Sequence, residues 1–233
     1  MGAILNSDSW LSVWQRKGRE AAGKAEYSTS DLLAADGFDG AMAQTSSEAQ
    51  QHIAGIISSG LGLRPGMRVL EVGCGAGAVL SLLRNTQATF TGVDYSAPHI
   101  EIARSVLPET EFHVSEASSL PFSDNAFDAV FSYGVFLYFP DLPYAESVLN
   151  ELLRVAEPSA PVMILDIPDA AKREACEEAR RAAGASLNPP HCYYPKHFFA
   201  DFAAARGRRS VVTDQAVPGY GNSRFRFNVL LQD

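Results

Sequence analysis

The segment 67–83, MRVLEVGCGAGAVLSLL, constrains this chain more than any other, because a Val- and Leu-rich run passes directly into Gly73-Cys74-Gly75-Ala76-Gly77 and then into a helical pattern. A buried strand that turns through alternating glycines keeps Cβ atoms away from the turn, and the first amides of the next helix point at whatever lies beyond it. Units of this kind build parallel sheets wrapped by helices, and the chain repeats them. TFTGVD (89–94) reads as the second strand and SAPHIEIARSVL as its helix. EFHVSE (111–116), FDAVFSY (127–133) and APVMILDI (160–167) read as the next strands, with AESVLNELLRVA as a helix before the last of them. The tail departs from this pattern. SVVTD (210–214) and RFRFNVLLQ (224–232) lie too close together for a helical crossover and predict an antiparallel hairpin. The fold expected is α/β: a Rossmann-like, doubly wound seven-stranded sheet, mostly parallel with an antiparallel last strand.

Residues 1–60 read as an N-terminal helical cap or lid, and residues 61–233 as the core, with LGLRPG (61–66) as the joint. Trp10, Leu11, Val13 and Trp14 fall on one helical face. Thr45-x-x-Glu48 has the capping-box pattern, followed by the stripe Ala49, Ile53, Ile56 and Ile57 and a helix end at Gly60. Trp10, Trp14, Tyr27 and Phe38 are the aromatic residues expected to cap a crevice at the strand ends.

Composition excludes several classes of function. The 233 residues carry 19 Lys and Arg against 27 Asp and Glu, a net charge of −8, which opposes binding to a nucleic-acid backbone. Arg206–Arg209 is the one local basic run and reads as a solvated loop. Cys74, Cys176 and Cys192 form no CxxC pair, so neither a disulfide framework nor a metal site is expected. The longest apolar stretch, Ala129–Phe139, is about half of the roughly 20 residues a membrane span needs. The N-terminus lacks the basic flank and apolar run of a secretory signal, and its Met-Gly start has Asn6 where a myristoylation pattern needs Ser or Thr. The expectation is a cytoplasmic protein acting without membrane, nucleic acid or metal.

Chemistry concentrates at the strand ends. Glu71 opens the glycine turn, Asp94 ends the second strand and Glu116-Ala117 ends the third, so all converge on one crevice. A carboxylate at Asp94 suits the two hydroxyls of an adenosine ribose, each charge-assisted bond contributing about 1.5–3 kcal/mol. Gly73-x-Gly75-x-x-Ala78 followed by Asp94 also satisfies a dinucleotide fingerprint, so an NAD(P)-dependent oxidoreductase stays open as an alternative. Against it stand the helical segment before the first strand and SEASSLPF, which has no role in that fold. A cofactor-binding protein without catalysis is the third reading.

LEVGCGAG, GVDYS and SEASSLPFSDNAFDAV resemble three successive motifs of the class I S-adenosylmethionine-dependent methyltransferases, most closely the small-molecule branch called methyltransferase type 11. The resemblance covers about residues 61–170. It implies S-adenosylmethionine as cofactor and S-adenosylhomocysteine as product. By that analogy Gly73 and Gly75 lie against the methionine part, Glu71 supports the loop, Cys74 and Gly77 complete the cofactor-binding turn, and Asp94 holds the ribose. Tyr95 and His99 pack on the adenine, and Glu116 with the Ala117 amide reads its edge. Ser132 and Tyr133 line the methyl-transfer site. The family commonly has Asp where this chain has Glu116.

The acceptor implied is a small-molecule metabolite, apolar or neutral, methylated by in-line displacement; whether the protein is a monomer or a homodimer stays open. Positioning does most of such work, and a general base is needed only for a protonated acceptor. Candidates around the acceptor are Tyr133, Tyr220 and Asn222, with Arg224 beside them. A lid segment, NPPHCYYPKHFF (188–199), adds His191, Tyr194, Tyr193 and His197. Asn188-Pro189-Pro190-His191 resembles the tetrad of amino-group methyltransferases. It falls far beyond the fourth strand, however, whose exit reads Ser132-Tyr133-Gly134-Val135.

Overall fold

The computed structural model describes residues 9–40 and 42–233, so the Met-Gly start and Asn6 lie outside the described residues. Seven strands form one sheet: β1 (Arg68–Val72), β2 (Thr89–Asp94), β3 (Glu111–Val114), β4 (Ala129–Tyr133), β5 (Val162–Pro168), β6 (Arg209–Asp214) and β7 (Arg226–Gln232). Their order is β3-β2-β1-β4-β5-β7-β6. The pairings among β1 to β5 are parallel, and β7 inserts antiparallel between β5 and β6. The predicted hairpin is therefore present. Its loop hangs at the carboxyl end of the parallel strands, since Pro168 at the end of β5 pairs with Arg226 at the start of β7.

Helices cover both faces, which is why the central strands are nearly continuous apolar runs. On one face α6 (Leu142–Val155) and α8 (Lys196–Ala204) bury Leu149, Leu152 and Phe199 against Val130, Val162 and Phe227. On the other, α3 (Ser47–Leu61), α4 (Ala78–Leu83) and α5 (Ala97–Val106) bury Ile57, Leu80 and Ile100 with Val69, Phe131 and Leu165. The remaining helices are α1 (Trp10–Ala21), α2 (Thr29–Ala35) and α7 (Arg173–Ala182). Among the described residues no helix is long and apolar enough to cross a membrane.

Several local expectations need correction. The N-cap of α3 is Ser46, whose side chain accepts from the Ala49 amide, not Thr45; the true capping box is Ser28 with Asp31, at α2. α3 also runs past Gly60 to Leu61, and Gly62 takes the left-handed cap. Because Gly60 abuts Met163 of β5, α3 belongs to the layer on the sheet; among the described residues of this segment, those that line the crevice come from α1 and from 36–43 after α2. In the segment 188–199, KHFF is the first turn of α8. Arg206–Arg209 is an exposed turn leading into β6, as expected, but two of its arginines are anchored. Arg206 lies over the Phe202 ring and bonds Asn150 of α6, and Arg208 donates to the Ala160 carbonyl, stapling the end of α8 to its neighbours.

Two glycines test this packing in opposite directions. A Cβ on Gly92 of β2 would lie 2.6 Å from Phe112 and 2.8 Å from Cys74 Sγ, whereas one on the exposed Gly55 of α3 meets nothing within 4 Å. Gly92→Ala is expected to destabilise by about 1–3 kcal/mol through overpacking. Gly55→Ala is expected to stabilise by about 0.5–1 kcal/mol through helix propensity. Urea unfolding of both variants against the parent protein measures each sign.

Candidate functional site

A crevice of about 610 Å³ opens at the carboxyl ends of β1, β2, β4 and β5, the place where doubly wound sheets bind ligands. Its floor is the turn between β1 and α4. Gly73 (φ 80°) would carry a Cβ 2.2 Å from Val135, and Gly75 (φ 51°) one 2.2 Å from Asp36, so both positions require glycine on conformation and on space. The turn is tied to β2 because Asp94 accepts from the Gly75 amide at 3.0 Å and from the Ser96 amide at 2.8 Å.

Asp36, which no sequence motif marks, completes this end of the site. It caps the end of α2, and its carboxylate accepts from the Ala76 amide at 2.6 Å and the Ala78 amide at 3.4 Å. It therefore occupies the start of α4, where the free amides and the helix dipole favour an anion. Glu71 is 2% exposed, and its Oε2 has no hydrogen-bond partner. Three carboxylates thus share a poorly solvated pocket. Burial pushes Asp36 up to about 6, with Asp94 adding repulsion against the pull of His99 and the two amides. Burial first, then Asp36 and Asp94, hold Glu71 well above the ordinary range, and burial also raises Asp94.

The cap is clamped to this floor. His99 is buried with Nδ1 on Ser96 Oγ at 2.8 Å and Nε2 on the Ala35 carbonyl at 3.0 Å, so it joins α5 to α2. α1 lies against α5 at Gly18, where a Cβ would meet His99 at 2.7 Å. Trp10 and Trp14 roof the crevice against Tyr138, with ring centroids 4.6 and 5.1 Å away, and Trp10 reaches His191 at 5.3 Å. Phe38 stacks on Tyr133 at 5.5 Å.

The far end of the crevice has different chemistry. β5 breaks register between Ile164 and Ile167, and Asp166 sits in that irregularity at φ 61°, strained backbone for a non-glycine residue. Its carboxylate accepts from Tyr220 at 2.9 Å and from Gln215 at 3.0 Å. Arg226 lies 3.6 Å from Asp166 and is fully buried, yet none of its three guanidinium nitrogens has a hydrogen-bond partner. Arg180 donates to His191 Nδ1 at 3.1 Å and to the Ser186 carbonyl at 2.7 Å. Burial first, then Arg180 and Arg226, hold His191 down to about 2, so it stays neutral.

Thirteen of the sequence candidates line this one crevice: Glu71, Gly73, Cys74, Gly75, Asp94, Tyr95, His99, Glu116, Ala117, Tyr133, His191, Tyr220 and Asn222. Glu116 stands exposed at the mouth and accepts from the Tyr144 hydroxyl at 3.0 Å. The other candidates do different work. Gly77 faces Leu107 and Ala103 and lets α4 approach α5. Ser132 is buried in β4 outside the crevice lining. Tyr194 is 0% exposed and donates to the Phe136 carbonyl at 2.8 Å, so it is core. The ring of Tyr193 stacks under Arg173, His197 is exposed on α8, and Arg224 lies over Phe225. Tyr27 packs among Leu32, Leu33 and Ala76, away from the crevice. His191 is misplaced as a base, because protonating it beside two guanidiniums is unfavourable. Among the described residues no group of three His, Cys, Asp or Glu is arranged to hold a metal ion.

Asp36, Asp166, Arg180 and Arg226 escaped the sequence reading. Asp94 and Glu116 end the second and third strands, and Asp166 near the end of the fifth obeys the same rule; Arg226 is the one cation of β7, RFNVLLQ.

The raised carboxylates fix a pH dependence. Asp36 keeps its proton up to about 6 when folded but only to 3.8 when free, so the folded chain binds more protons between these values and stability falls as pH rises through them. Asp36→Asn is expected to match the parent protein near pH 4 and to exceed it by about 2 kcal/mol above pH 7. Chemical denaturation across this pH range checks it.

Comparison with known proteins places this architecture. Residues 70–164 match the family model described as a methyltransferase domain. "Probable tRNA methyltransferase 9B" of Bos taurus is 38% identical over 101 residues, covering 43% of this chain and 21% of that protein. Demethylmenaquinone methyltransferase of Renibacterium salmoninarum is 28% identical over 112 residues, covering 48% of this chain and 46% of that one. The chain thus spans less than half the length of these curated relatives. The crystal structure of magnesium protoporphyrin IX methyltransferase from Synechocystis PCC 6803 with bound SAH superposes with a TM-score of 0.63 at 16% identity, over 95% of this chain and 94% of that one, and shows the shared fold. The matched segment is a methyltransferase domain that carries the glycine turn, Asp94 and Glu116 in order along one sheet edge, and in it the chain is similar to the class I S-adenosylmethionine-dependent methyltransferases.

Proposed function

We propose that the protein binds S-adenosylmethionine in the crevice and transfers its methyl group to a small molecule held beneath α1 and α2. The observation that carries this reading is the buried Glu71 carboxylate, its Oε2 without a partner, beside Asp36 and Asp94. A pocket that desolvates three acids suits a ligand bearing positive charge. S-adenosylmethionine, when bound, supplies an activated methyl on a cationic sulfonium. Asp94 is the group suited to its ribose, Tyr95 to its adenine face, and Glu116 with the Ala117 amide to the adenine edge. His99 acts as a positioning residue, since both of its nitrogens are already engaged.

A dinucleotide fits poorly. Its pyrophosphate needs the amides at the start of α4, and Asp36 already takes those of Ala76 and Ala78. Two like charges there would repel.

The acceptor end is the region of Tyr133, Gly134, Tyr220 and Asn222. Holding an acceptor in line against a bound donor reaches effective molarities of about 10⁵–10⁸ M. Where the acceptor must lose a proton, the Tyr220–Asp166 pair is the group placed to receive it. A small molecule is favoured over the nucleic acid in the tRNA methyltransferase relatives' name. The tryptophan roof narrows access, and a net charge of −8 repels a polyanion. Three free thiols, Cys74, Cys176 and Cys192, favour the cytoplasm.

Thermal shifts with S-adenosylmethionine, S-adenosylhomocysteine, NAD and NADP, paired with calorimetric titration, test the cofactor. Saturation at 100 times Kd adds about 2.7 kcal/mol, roughly 5–10 °C for a chain of this size. The first two ligands are expected to produce it, the nicotinamides to produce none, and Asp94→Ala to weaken S-adenosylhomocysteine at least about tenfold. A shift with NAD or NADP alone, or an unchanged Asp94→Ala affinity, contradicts the assignment.

A further inference from the structure

We propose that the far end of the crevice is a carboxylate-binding subsite built on Arg226 and Arg180, so that the methyl acceptor is a small organic acid with an apolar or aromatic body. The inference rests on the methyltransferase reading above and deepens it by naming the acceptor's class. It departs from the neutral acceptor suggested by the sequence.

Arg226 carries the argument. It is 0% exposed and lines the crevice, and Nε, Nη1 and Nη2 all lack a hydrogen-bond partner. Its neighbouring carboxylate, Asp166, is 3.6 Å away, beyond a good hydrogen bond, and directs its oxygens to Gln215 and Tyr220 instead. A guanidinium offers five N–H donors in a planar fork, and buried donors of a charged group demand partners. The natural partner of that fork is a carboxylate, taken by two parallel bonds.

Charge balance points the same way. Arg180 is 8% exposed and lines the same wall. Its bonds go to the neutral acceptors His191 Nδ1 and the Ser186 carbonyl, and among the described ion pairs none joins it to an acid. Among the described residues two buried guanidiniums and one carboxylate, Asp166, line this end of the crevice, which leaves one positive charge without compensation. A monoanion balances it. His191 cannot share the role of cation, because both arginines and its burial keep it neutral. Beside this wall Trp10 and Tyr138 present aromatic surface, which suits the apolar body of such an acid.

The cofactor end and this end are thus opposite in sign: acids at the glycine turn for a cationic donor, guanidiniums beyond Tyr133 for an anionic acceptor. Opposite signs at the two ends orient a small acid with its carboxylate away from the methyl donor.

Matched probes test the subsite on the full chain saturated with S-adenosylhomocysteine. Benzoate, 3-phenylpropionate and decanoate are titrated against their primary amides, with phenyl phosphate as the phosphate arm, by ligand-observed magnetic resonance. At least one carboxylate is expected to bind ten times or more tighter than its amide, and tighter than phenyl phosphate. Arg226→Met and, separately, Arg180→Gln are expected to erase the preference while S-adenosylhomocysteine affinity stays within threefold, which also reports that each variant is folded. Should Arg226→Met fail to fold, Arg180→Gln alone decides. No carboxylate outbinding its amide, a preference for phenyl phosphate, or a preference surviving in the folded variants overturns the proposal. Failure of the parent protein to bind S-adenosylhomocysteine overturns the cofactor reading instead, and the subsite with it.

Discussion

Repulsion among Asp36, Glu71 and Asp94 around one glycine turn is the constraint on which much of this molecule is organised. Each acid comes from a different element: the end of α2, the end of β1 and the end of β2. Each is tolerated for a different reason. Asp94 is held by two amides and Asp36 by two more at the start of α4, while Glu71 keeps one oxygen bare. Taking three carboxylates out of water is unfavourable in an empty site and becomes favourable once a cation lies between them. The turn needs glycine because Asp36 and Val135 crowd it, so loop sequence and site electrostatics are linked.

The cap follows from the same place. Asp36 reaches the start of α4 only because α2 docks against it, and α2 docks because His99 holds the Ala35 carbonyl and Gly18 lets α1 approach α5. The tryptophans of α1 then roof the crevice from α5 to the 188–191 segment, where Trp10 donates to the Pro190 carbonyl at 3.0 Å. Cap and cofactor site are therefore coupled through Asp36. At the other end, the irregularity in β5 that turns Asp166 inward and the buried start of β7 that carries Arg226 create the opposite polarity. The antiparallel hairpin adds functional surface as well as an edge to the sheet.

The parts of this design set by local pattern were readable in the chain. The succession of strands and helices, the terminal hairpin, the glycine turn and Asp94 follow from period and turn chemistry, which act over short spans. Asp36 was not readable: a lone Asp after a short helix looks like any helix end, and its value comes from amides forty residues away. Tyr194 and His191 show the same limit from the other side. In sequence they are neighbours in an aromatic cluster; in space one is core and the other is pinned by Arg180. Gly77 belonged to the motif by spacing, yet it serves helix packing. The helices between β5 and β6 went unread because α7 is mostly charged and α8 opens inside a segment rich in Pro, His and Tyr.

The most direct test of the central claim counts protons. If the three acids wait partly protonated for a cation, binding S-adenosylmethionine lowers their proton affinity and drives protons into solution. Titrating S-adenosylmethionine near pH 6 in buffers of different ionisation enthalpy reads that number directly. Release of about half a proton or more per site is expected, since Asp36 at about 6 is half protonated there. No release, or net uptake, would mean that these carboxylates do not meet the positive charge of the cofactor.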